Sequence, residues 1–241
     1  MGNKIIFRID DIGASTKQFE QYSKWRVGNF WFLKRIWPFK KWGPYEELTA
    51  GEWEKILKFF EQNNIKPIVA ITACWVEKNN SLTPFAQKFP EQANILKQAF
   101  IGGKIEIANH GLTHCMVGKH LPRFFTSNRK YHREFWPELS QEIHTEHILR
   151  SQEILEGYFE KPITIFVPPG NVWSYKTYLA LKKTNIKKVI SSRYMKDSQQ
   201  KMEGIDFVND KSNFFCLHDK DLKEKSLSYL TDKITICQKQ F

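Results

Sequence analysis

The sequence is poor in cysteine and has no long hydrophobic run. No Cys-x-x-Cys pair occurs, and three of the four cysteines lie in apolar segments, where a thiol behaves as a small apolar side chain. We therefore expect reduced cysteines and a reducing compartment. No window of eighteen uncharged apolar residues exists, and the start, MGNKIIFRIDD, lacks the apolar stretch of a signal peptide. These absences predict a cytoplasmic protein without a transmembrane helix.

Internal repeats and low-complexity tracts are also absent, and acidic residues are outnumbered. The chain carries 37 Lys and Arg against 26 Asp and Glu, a formal charge of +11. This balance favours anionic partners such as nucleic acid, anionic lipid or a phosphorylated substrate. Nucleic acid is not expected, because no known binding motif or regular basic stripe accompanies the charge. The length and composition predict one domain over residues 1–241.

Short apolar runs alternate with amphipathic segments along the chain. Apolar residues at helical spacing predict helices over Glu52–Gln62, Glu91–Ala99, Ser140–Phe159, Tyr175–Thr184 and Leu222–Ile234. A Thr49-x-x-Glu52 capping box precedes the first helix. Strands are predicted over Lys4–Ile9, Ile68–Thr72, Lys104–Ala108, Ile163–Val167, Lys188–Ser192, Phe207–Val208 and Asn213–Leu217. The alternation indicates parallel βαβ units, and therefore an α/β fold with a barrel related to the (β/α)8 type.

Two stretches, about 18–48 and 115–137, interrupt this alternation. Both are predicted to be inserted loops, and long loops in a compact domain are usually functional. The first contains segment 25–42, WRVGNFWFLKRIWPFKKW, in which aromatic residues are mixed with Lys and Arg. That mixture suits the headgroup region of a bilayer, so we predict that segment 25–42 contacts an anionic membrane surface. The alternatives are a lid over the barrel mouth and an oligomer contact.

Ionisable residues stand where predicted strands end. His110-Gly-Leu-Thr-His114 follows one strand, and Asp10-Asp11 closes the first. Two histidines four residues apart can face one metal ion. Adjacent carboxylates repel and lose hydration at a strand end, and a cation relieves both effects; the alternative for this dipeptide alone is a surface turn. His218 and the turn Pro168-Pro169-Gly170-Asn171 follow two other strands, at the end where barrels gather function.

The order of these motifs, from Lys4 to about Asp219, resembles the polysaccharide deacetylase (NodB-homology) family, which belongs broadly to carbohydrate esterase family 4. The resemblance implies a (β/α)7 barrel, a deformed relative of the TIM barrel. It also implies a hydrolase that removes an N-acyl group, acetyl first, from an amino sugar of a glycan or lipid-linked saccharide. A divalent metal, zinc before others, would be held by Asp11, His110 and His114, with Asp10 as general base and His218 as general acid.

Departures from the family pattern indicate a divergent branch. The family's third motif carries an arginine that orients the base, and Val167 stands in its place here. The fourth motif has no clear match, and Asp197 and Asp206 are its only candidates. Arg8 shares a strand face with Asp10, so we predict that Arg8 takes over part of the orienting role through a charge-assisted bond. The alternative is an arginine paired elsewhere in the barrel floor.

Several assignments stay open at this level. An N-deformylase acting on a polyprenyl-linked sugar and a non-catalytic sugar- or lipid-binding barrel are the alternative functions, although the base, the acid and the metal ligands are all present. Pro169, Gly170 and Asn171 are candidates for substrate and oxyanion contacts. Trp75 and Trp173 follow strand ends and either line a sugar pocket or pack in the core. The remaining histidines are not expected to bind metal. His144 and His147 are predicted to lie on a helix, at its surface or at the edge of the core, whereas His120 and His132, in a basic loop, are predicted to be solvated.

Overall fold

The computed structural model describes residues 6–18, 46–121, 128–210, 214–223, 229–232 and 234. Segment 25–42, most of the predicted loop 18–48 and the middle of the predicted loop 115–137 therefore lie outside the described residues. Within them, no helix is long and apolar enough to cross a bilayer.

The elements are labelled in chain order. The helices are α1 (Ala50–Gln62), α2 (Phe85–Lys88), α3 (Pro90–Ile101), α4 (Gln141–Phe159) and α5 (Tyr175–Leu181). The strands are β1 (Ile6–Ile12), β2 (Ile68–Ile71), β3 (Cys74–Val76), β4 (Leu82–Pro84), β5 (Glu106–Asn109), β6 (Ile165–Phe166), β7 (Lys188–Ser191), β8 (Asp206–Asn209) and β9 (Phe214–His218). Short 3-10 turns lie at Ser15–Gln18, Arg129–His132 and Pro169–Asn171.

Seven of these strands form one sheet in the order β8-β7-β6-β5-β2-β1-β9, and every pairing in it is parallel. The predicted α/β class and βαβ alternation are confirmed, because each predicted strand has a counterpart in this sheet. The antiparallel hairpin β3–β4 was not predicted, since strands of three residues show no readable period. Of the predicted last helix, residues 222–223 and 229–232 are helical, and helical geometry begins at residue 219.

Local signals set where the helices begin. Thr49 and Glu52 form the predicted capping box of α1: Thr49 Oγ1 accepts from the Glu52 N–H at 3.3 Å, and Glu52 Oε2 accepts from the Thr49 N–H at 2.7 Å. The two bonds satisfy donors that the helix itself leaves unpaired. Helix α1 then buries Trp53, Ile56 and Phe60, which share one face at helical spacing and pack it against the sheet core.

Alternate residues of the strands face two different cores. Val69 and Ile71 of β2 belong to the large core between the sheet and the helices. Ile68 and Ala70 belong to a smaller cluster on the opposite face, which we call the inner cluster; it comprises Ile68, Ala70, Ala108, Ile165, Val167 and Ile190, with Ile6, Val208 and Phe214 packed against it. Arg8 and Asp10 follow Ile6 at steps of two, so they extend the same face toward the carboxyl end of β1.

An ion pair shows that the sheet curls on itself. Strand β8 is the last strand at one end of the sheet, whereas β1 lies next to the other end. Even so, Arg8 of β1 donates to Asp210, directly after β8, with an Nη1–Oδ2 distance of 2.8 Å. The two ends of the sheet therefore approach each other around the inner cluster, as in a deformed barrel, and the carboxyl ends of its strands form one rim.

Candidate active site

A β-bulge brings both carboxylates of the Asp10-Asp11 pair to one site. Ile9 pairs with Val69 and Ile12 with Ile71, so three steps along β1 oppose two along β2. Asp11 takes up the extra residue with a left-handed backbone, φ +68°. In a regular strand neighbouring side chains point to opposite faces, and a bulge re-aims one of them. The predicted strand ended at Ile9; β1 continues to Ile12 and carries both aspartates within it.

Asp11, His110 and His114 converge at the rim. Asp11 Oδ1 lies 3.2 Å from His110 Nε2 and 3.0 Å from His114 Nε2. Ligand atoms of the three residues all lie within 4.8 Å of one another. His110 directly follows β5, the neighbour of β2 in the sheet, which explains how residues almost a hundred positions apart meet.

The chemistry of these side chains fits a divalent metal. His110 Nδ1 lies 2.6 Å from the Val167 carbonyl oxygen, and a carbonyl only accepts, so Nδ1 carries a proton and Nε2 is the ring nitrogen that faces Asp11. His114 Nε2 is buried, and although Asp11 Oδ1 lies 3.0 Å away, the two atoms are not aligned as a hydrogen bond. Burial alone would raise the pKa of Asp11, but His114 and His110 bring that pKa well below its ordinary value. Two imidazoles and a carboxylate are ligands that zinc takes.

Asp10 is held beside this group by Arg8. The guanidinium donates from Nε to Asp10 Oδ1 at 2.8 Å and from Nη2 to Oδ2 at 2.7 Å, and Arg8 is only 1% exposed. Cys216 Sγ donates to the same Oδ2 at 3.2 Å. Burial raises the pKa of Asp10, but the charges of Arg8 and His110 and the hydrogen bond from Arg8 together outweigh burial, so the net pKa is lowered. Asp10 is therefore an oriented carboxylate.

His218 lies across from Asp10 because β9 pairs with β1 in a register that puts the two residues opposite each other. Its side chain is 52% exposed, with Nε2 4.0 Å from Asp11 Oδ2 and Nδ1 3.4 Å from Asp221 Oδ2. The hydrogen bond to Asp221 and the charge of Asp11 raise the pKa of His218 to about 9. This imidazole is open to solvent and able to carry a proton.

The turn after β6 forms part of the rim. Gly170 and Asn171 both have left-handed backbones, with φ +58° and +55°, and a Cβ at Gly170 would lie 2.9 Å from Arg133 Nε. Asn171 Oδ1 accepts from Ser192 N–H at 3.0 Å, while the Asn171 N–H donates to Pro168 O at 2.9 Å. That N–H is used within the turn, so the N–H of Gly170 is the better candidate to face a substrate.

A cavity of about 750 Å³ opens beside the β3–β4 hairpin. Trp75, Phe89 and Glu47 are among its lining residues, and Glu47 Oε1 accepts from the N–H of Gly13, two residues beyond Asp11, at 2.9 Å. Trp173, the other tryptophan considered for a sugar pocket, is fully buried and stacks on Phe207 with 6.0 Å between ring centroids. It is a core residue.

Three charged residues at the site were missed by the sequence patterns. Asp210 accepts from Arg8, Lys17 donates to the carbonyl oxygen of Asp11, and Glu134 accepts from the backbone N–H groups of the His110–His114 loop. Asp210 had one usable signal, because it is an acid directly after a strand. Lys17 lies in a short 3-10 turn and Glu134 in an irregular segment, and no sequence pattern there indicates which residues they approach.

The prediction that His120 and His132 are solvated is wrong. They are 0% and 5% exposed, and His132 Nε2 lies 2.8 Å from the His120 carbonyl oxygen. Asn128 Nδ2 donates to the same carbonyl at 2.6 Å, so His120, Asn128 and His132 form a buried polar cluster. Burial lowers the pKa of His132 to about 4. His144 is buried on α4, and His147 is bonded to Glu134 at 2.6 Å.

Comparison with known protein families shows to which family the chain belongs. The family profile described as "Polysaccharide deacetylase" matches residues 43–189, more than half of the 241-residue chain. The chain belongs to the polysaccharide deacetylase family. The matched span contains His110 and His114, whereas Asp10, Asp11 and His218 lie outside it. No curated protein sequence matches the chain.

Solved structures similar to this deacetylase-family chain are distant. A family 4 carbohydrate esterase from Streptomyces lividans, in complex with acetate, is 14% identical with a TM-score of 0.45, covering 90% of this chain and 80% of that one. A family 4 acetyl xylan esterase from Clostridium thermocellum, in complex with a cobalt ion, is 14% identical with a TM-score of 0.47, covering 81% and 80%.

A family 4 pseudoenzyme from Bacillus anthracis is 12% identical, with a TM-score of 0.40 over 59% of this chain. The chain spans only 39% of that protein's length. None of these likenesses carries an argument here. The predicted (β/α)7 barrel is confirmed by the family match and by the seven parallel strands, whose sheet curls on itself.

The structure shows which residues stand at the two family motifs that this chain lacks. Val167, at the place of the third-motif arginine, packs in the inner cluster, and the cation on Asp10 comes from β1 instead. Asp197 accepts from the Tyr175 N–H at 2.8 Å, where α5 begins. Asp206 is exposed at the first residue of β8, opposite the rim. Neither fourth-motif candidate therefore contacts Arg8; Asp210 does.

Proposed function

We propose that this chain is a metal-dependent hydrolase that removes an N-acyl group, acetyl first, from an amino sugar of a glycan or lipid-linked saccharide. The observation that carries the proposal is the convergence of Asp11, His110 and His114 beside the Arg8-held carboxylate of Asp10. Family membership supports the deacetylase class. The metal, the catalytic roles and the substrate are the proposed part.

Asp11, His110 and His114 would hold the divalent ion, with zinc as the first candidate. Once bound, such an ion supplies a positive charge that polarises the amide carbonyl and acidifies a water molecule. The Val167 carbonyl restrains the His110 ring so that Nε2 is the nitrogen available to hold an ion, and the Glu134 carboxylate restrains the His114 backbone.

Asp10 is proposed to accept the proton of the attacking water. Its Oδ1 accepts one hydrogen bond, from Arg8 Nε, which leaves a lone pair for that proton. Arg8 keeps the carboxylate anionic and fixes its plane, so the proposed base is held in one orientation. Asp210, bonded to the far side of the guanidinium, restrains Arg8 in turn.

His218 is proposed to protonate the departing amine. An amine leaves poorly as an anion, so amide cleavage needs an acid near the nitrogen. His218 lies opposite Asp10 on the neighbouring strand, an arrangement in which acid and base would lie on two sides of the scissile bond. The Gly170 N–H is the candidate donor to the developing oxyanion.

Two features near the site support the proposed substrate class. The cavity lined by Trp75, Phe89 and Glu47 offers aromatic faces and a carboxylate, which suit a sugar ring. The formal charge of +11 and the aromatic, basic segment 25–42 support a lipid-linked saccharide at an anionic membrane surface. We place the enzyme on the cytoplasmic face of that membrane.

The test is acyl release by the purified, zinc-loaded chain from N-acetyl and N-formyl amino sugars, with and without a polyprenyl-phosphate carrier. We expect acetate and free amine in equal amounts, and loss of both in Asp10→Asn with bound zinc retained. Formate without acetate would identify a deformylase. Saccharide binding without any acyl release from the zinc-loaded protein would contradict the enzyme and favour a non-catalytic barrel.

A further inference from the structure

Two of the three proposed metal ligands have a backbone conformation that residues with side chains rarely adopt. The φ angle is +68° at Asp11 and +60° at His114. In this left-handed region the Cβ atom crowds the following carbonyl oxygen, so the conformation persists only where its surroundings hold it. Each ligand therefore needs a restraint on its backbone.

Asp11 is restrained through its carbonyl oxygen. Lys17 Nζ donates to that oxygen and also to the carboxylate of Asp219, whose side chain is fully buried. The Ala14 N–H donates to the same Asp11 oxygen at 3.1 Å. Since Asp219 directly follows His218, Lys17 ties the metal ligand to the strand end that carries the proposed acid.

His114 is restrained through its N–H group. The Glu134 carboxylate accepts from the backbone N–H groups of Leu112 at 3.0 Å, Thr113 at 3.2 Å and His114 at 2.9 Å. Glu134 is fully buried, and His147 lies 2.6 Å from it. A Cβ at Gly111 would approach Glu134 Oε2 to 2.3 Å, so the loop closes tightly around this carboxylate.

The charge of each restraining residue is opposite to the partial charge of the backbone group that it contacts. A cation suits a carbonyl oxygen, and an anion suits a set of amide N–H groups. A buried charge loses its hydration, and an apolar pair of similar volume often stabilises a core equally well. A role in general fold stability therefore does not explain why Lys17 and Glu134 each contact a proposed metal ligand with a left-handed backbone.

We propose that Lys17 and Glu134 are positioning residues that hold Asp11 and His114 in their left-handed conformations and so preform the metal site. The inference rests on the proposed function, in which these residues bind a metal. Without either charge, the backbone relaxes toward ordinary φ values and one ligand turns away from the other two. Metal binding must then restore the strained conformation, and the affinity falls.

The test is the zinc affinity of purified variants, measured by competition with a chromogenic chelator. Glu134→Gln keeps the side-chain shape but turns one accepting oxygen into a donor, and Lys17→Met removes the donor to Asp11. We expect each variant to bind Zn²⁺ about 10- to 100-fold more weakly, the range typical of residues that orient metal ligands. Lys17→Arg, which can still donate to the Asp11 carbonyl, should recover part of the loss.

Thr177→Val is the matched control. Thr177 is fully buried and bonded to His144 at 2.9 Å and to the Ser174 N–H at 3.0 Å, so its loss weakens the fold without contacting a ligand. It should lower the melting temperature and leave zinc affinity unchanged.

Unchanged zinc affinity in Lys17→Met and Glu134→Gln, whatever their stability, would overturn the positioning role. If Glu134→Gln does not fold, equal affinity in Lys17→Met and Lys17→Arg decides against it. Absence of zinc binding by the native protein would instead reject the proposed function itself.

Discussion

Arg8 grips both carboxylate oxygens of Asp10, at 2.8 and 2.7 Å, from two positions earlier on the same strand. The contact exists because strand side chains alternate, so residues two apart point to the same face. In this chain one strand therefore supplies the carboxylate proposed as base, the arginine bonded to it and a proposed metal ligand. The family pattern takes its arginine from a different strand end, where Val167 stands here.

Replacement of Arg8 by lysine should uncouple turnover from metal binding. Lysine keeps the charge but cannot hold two oxygens in one plane, so Asp10 would be free to rotate. We expect kcat to fall about 10- to 100-fold, because small misplacements of a reacting group cost that much. Zinc content should stay at the native level. Native kcat in a folded, zinc-loaded Arg8→Lys protein would contradict the orienting role.

Asp210→Asn should destabilise the protein by about 1–3 kcal/mol, because the buried Arg8 loses one charged partner. The side chain of Asp210 is 7% exposed, so water cannot fully replace its carboxylate as a partner of Arg8. Urea unfolding gives the difference in free energy. Asp206→Asn is the control, since Asp206 is exposed on the adjacent strand β8 and its loss should leave stability unchanged. Equal effects of the two substitutions would rule out a specific role for Asp210.

Strong local patterns explain how far the sequence could predict this structure. The capping box at Thr49 and the apolar spacing of Trp53, Ile56 and Phe60 identify α1 within two residues of its observed start. Fully apolar runs such as Ile68–Ile71 identify the parallel strands. The β3–β4 hairpin escapes, because three-residue strands are too short to show a period.

Candidate site residues could be selected from the sequence where ionisable side chains stand close together in a motif. Contacts between residues that meet only in the folded chain could not be predicted. His110 and His114 stand four apart, and Asp10 and Asp11 are adjacent, so composition at strand ends singles them out. Glu134 contacts His114 from twenty residues away, out of an irregular segment with no period. The burial of His132 likewise depends on its contact with the His120 carbonyl oxygen. The basic residues around His132 in the sequence predict exposure instead.

The pair His147–Glu134 should make stability depend on pH. Burial lowers the pKa of His147, but the hydrogen bond and charge of Glu134 outweigh it, so the folded pKa is raised. Such a contribution is fully present below the unfolded pKa, about 6.5, and is lost as pH rises through the higher folded pKa. The stability difference between the native protein and His147→Gln should therefore shrink from acidic to alkaline pH in urea unfolding.

His144→Gln provides the opposite control. Burial lowers the pKa of His144, so the folded protein is penalised when this residue is protonated. The native advantage over His144→Gln should therefore grow as pH rises. The same pH trend for both histidine variants would contradict the assignment of His147 as a charged partner of Glu134.

Segment 25–42 should bind the purified protein to anionic liposomes at low salt. Each basic residue near an anionic surface contributes about 1 kcal/mol, and salt screens that attraction, so high salt should release the protein. Replacing Phe32, Ile36 and Trp37 by serine should abolish sedimentation with the liposomes. A native protein that stays in the supernatant at low salt would favour the lid or the oligomer contact.

The most direct test of the metal centre is the metal content of the native chain, Asp11→Ala and His114→Ala, each purified, incubated with zinc and desalted before elemental analysis. We expect one zinc per native chain, because Asp11, His110 and His114 place their ligand atoms within 4.8 Å of one another. Each variant keeps only two ligands and should lose the metal. One zinc per chain in both folded variants, or none in the native protein, would contradict the metal centre proposed at these three residues.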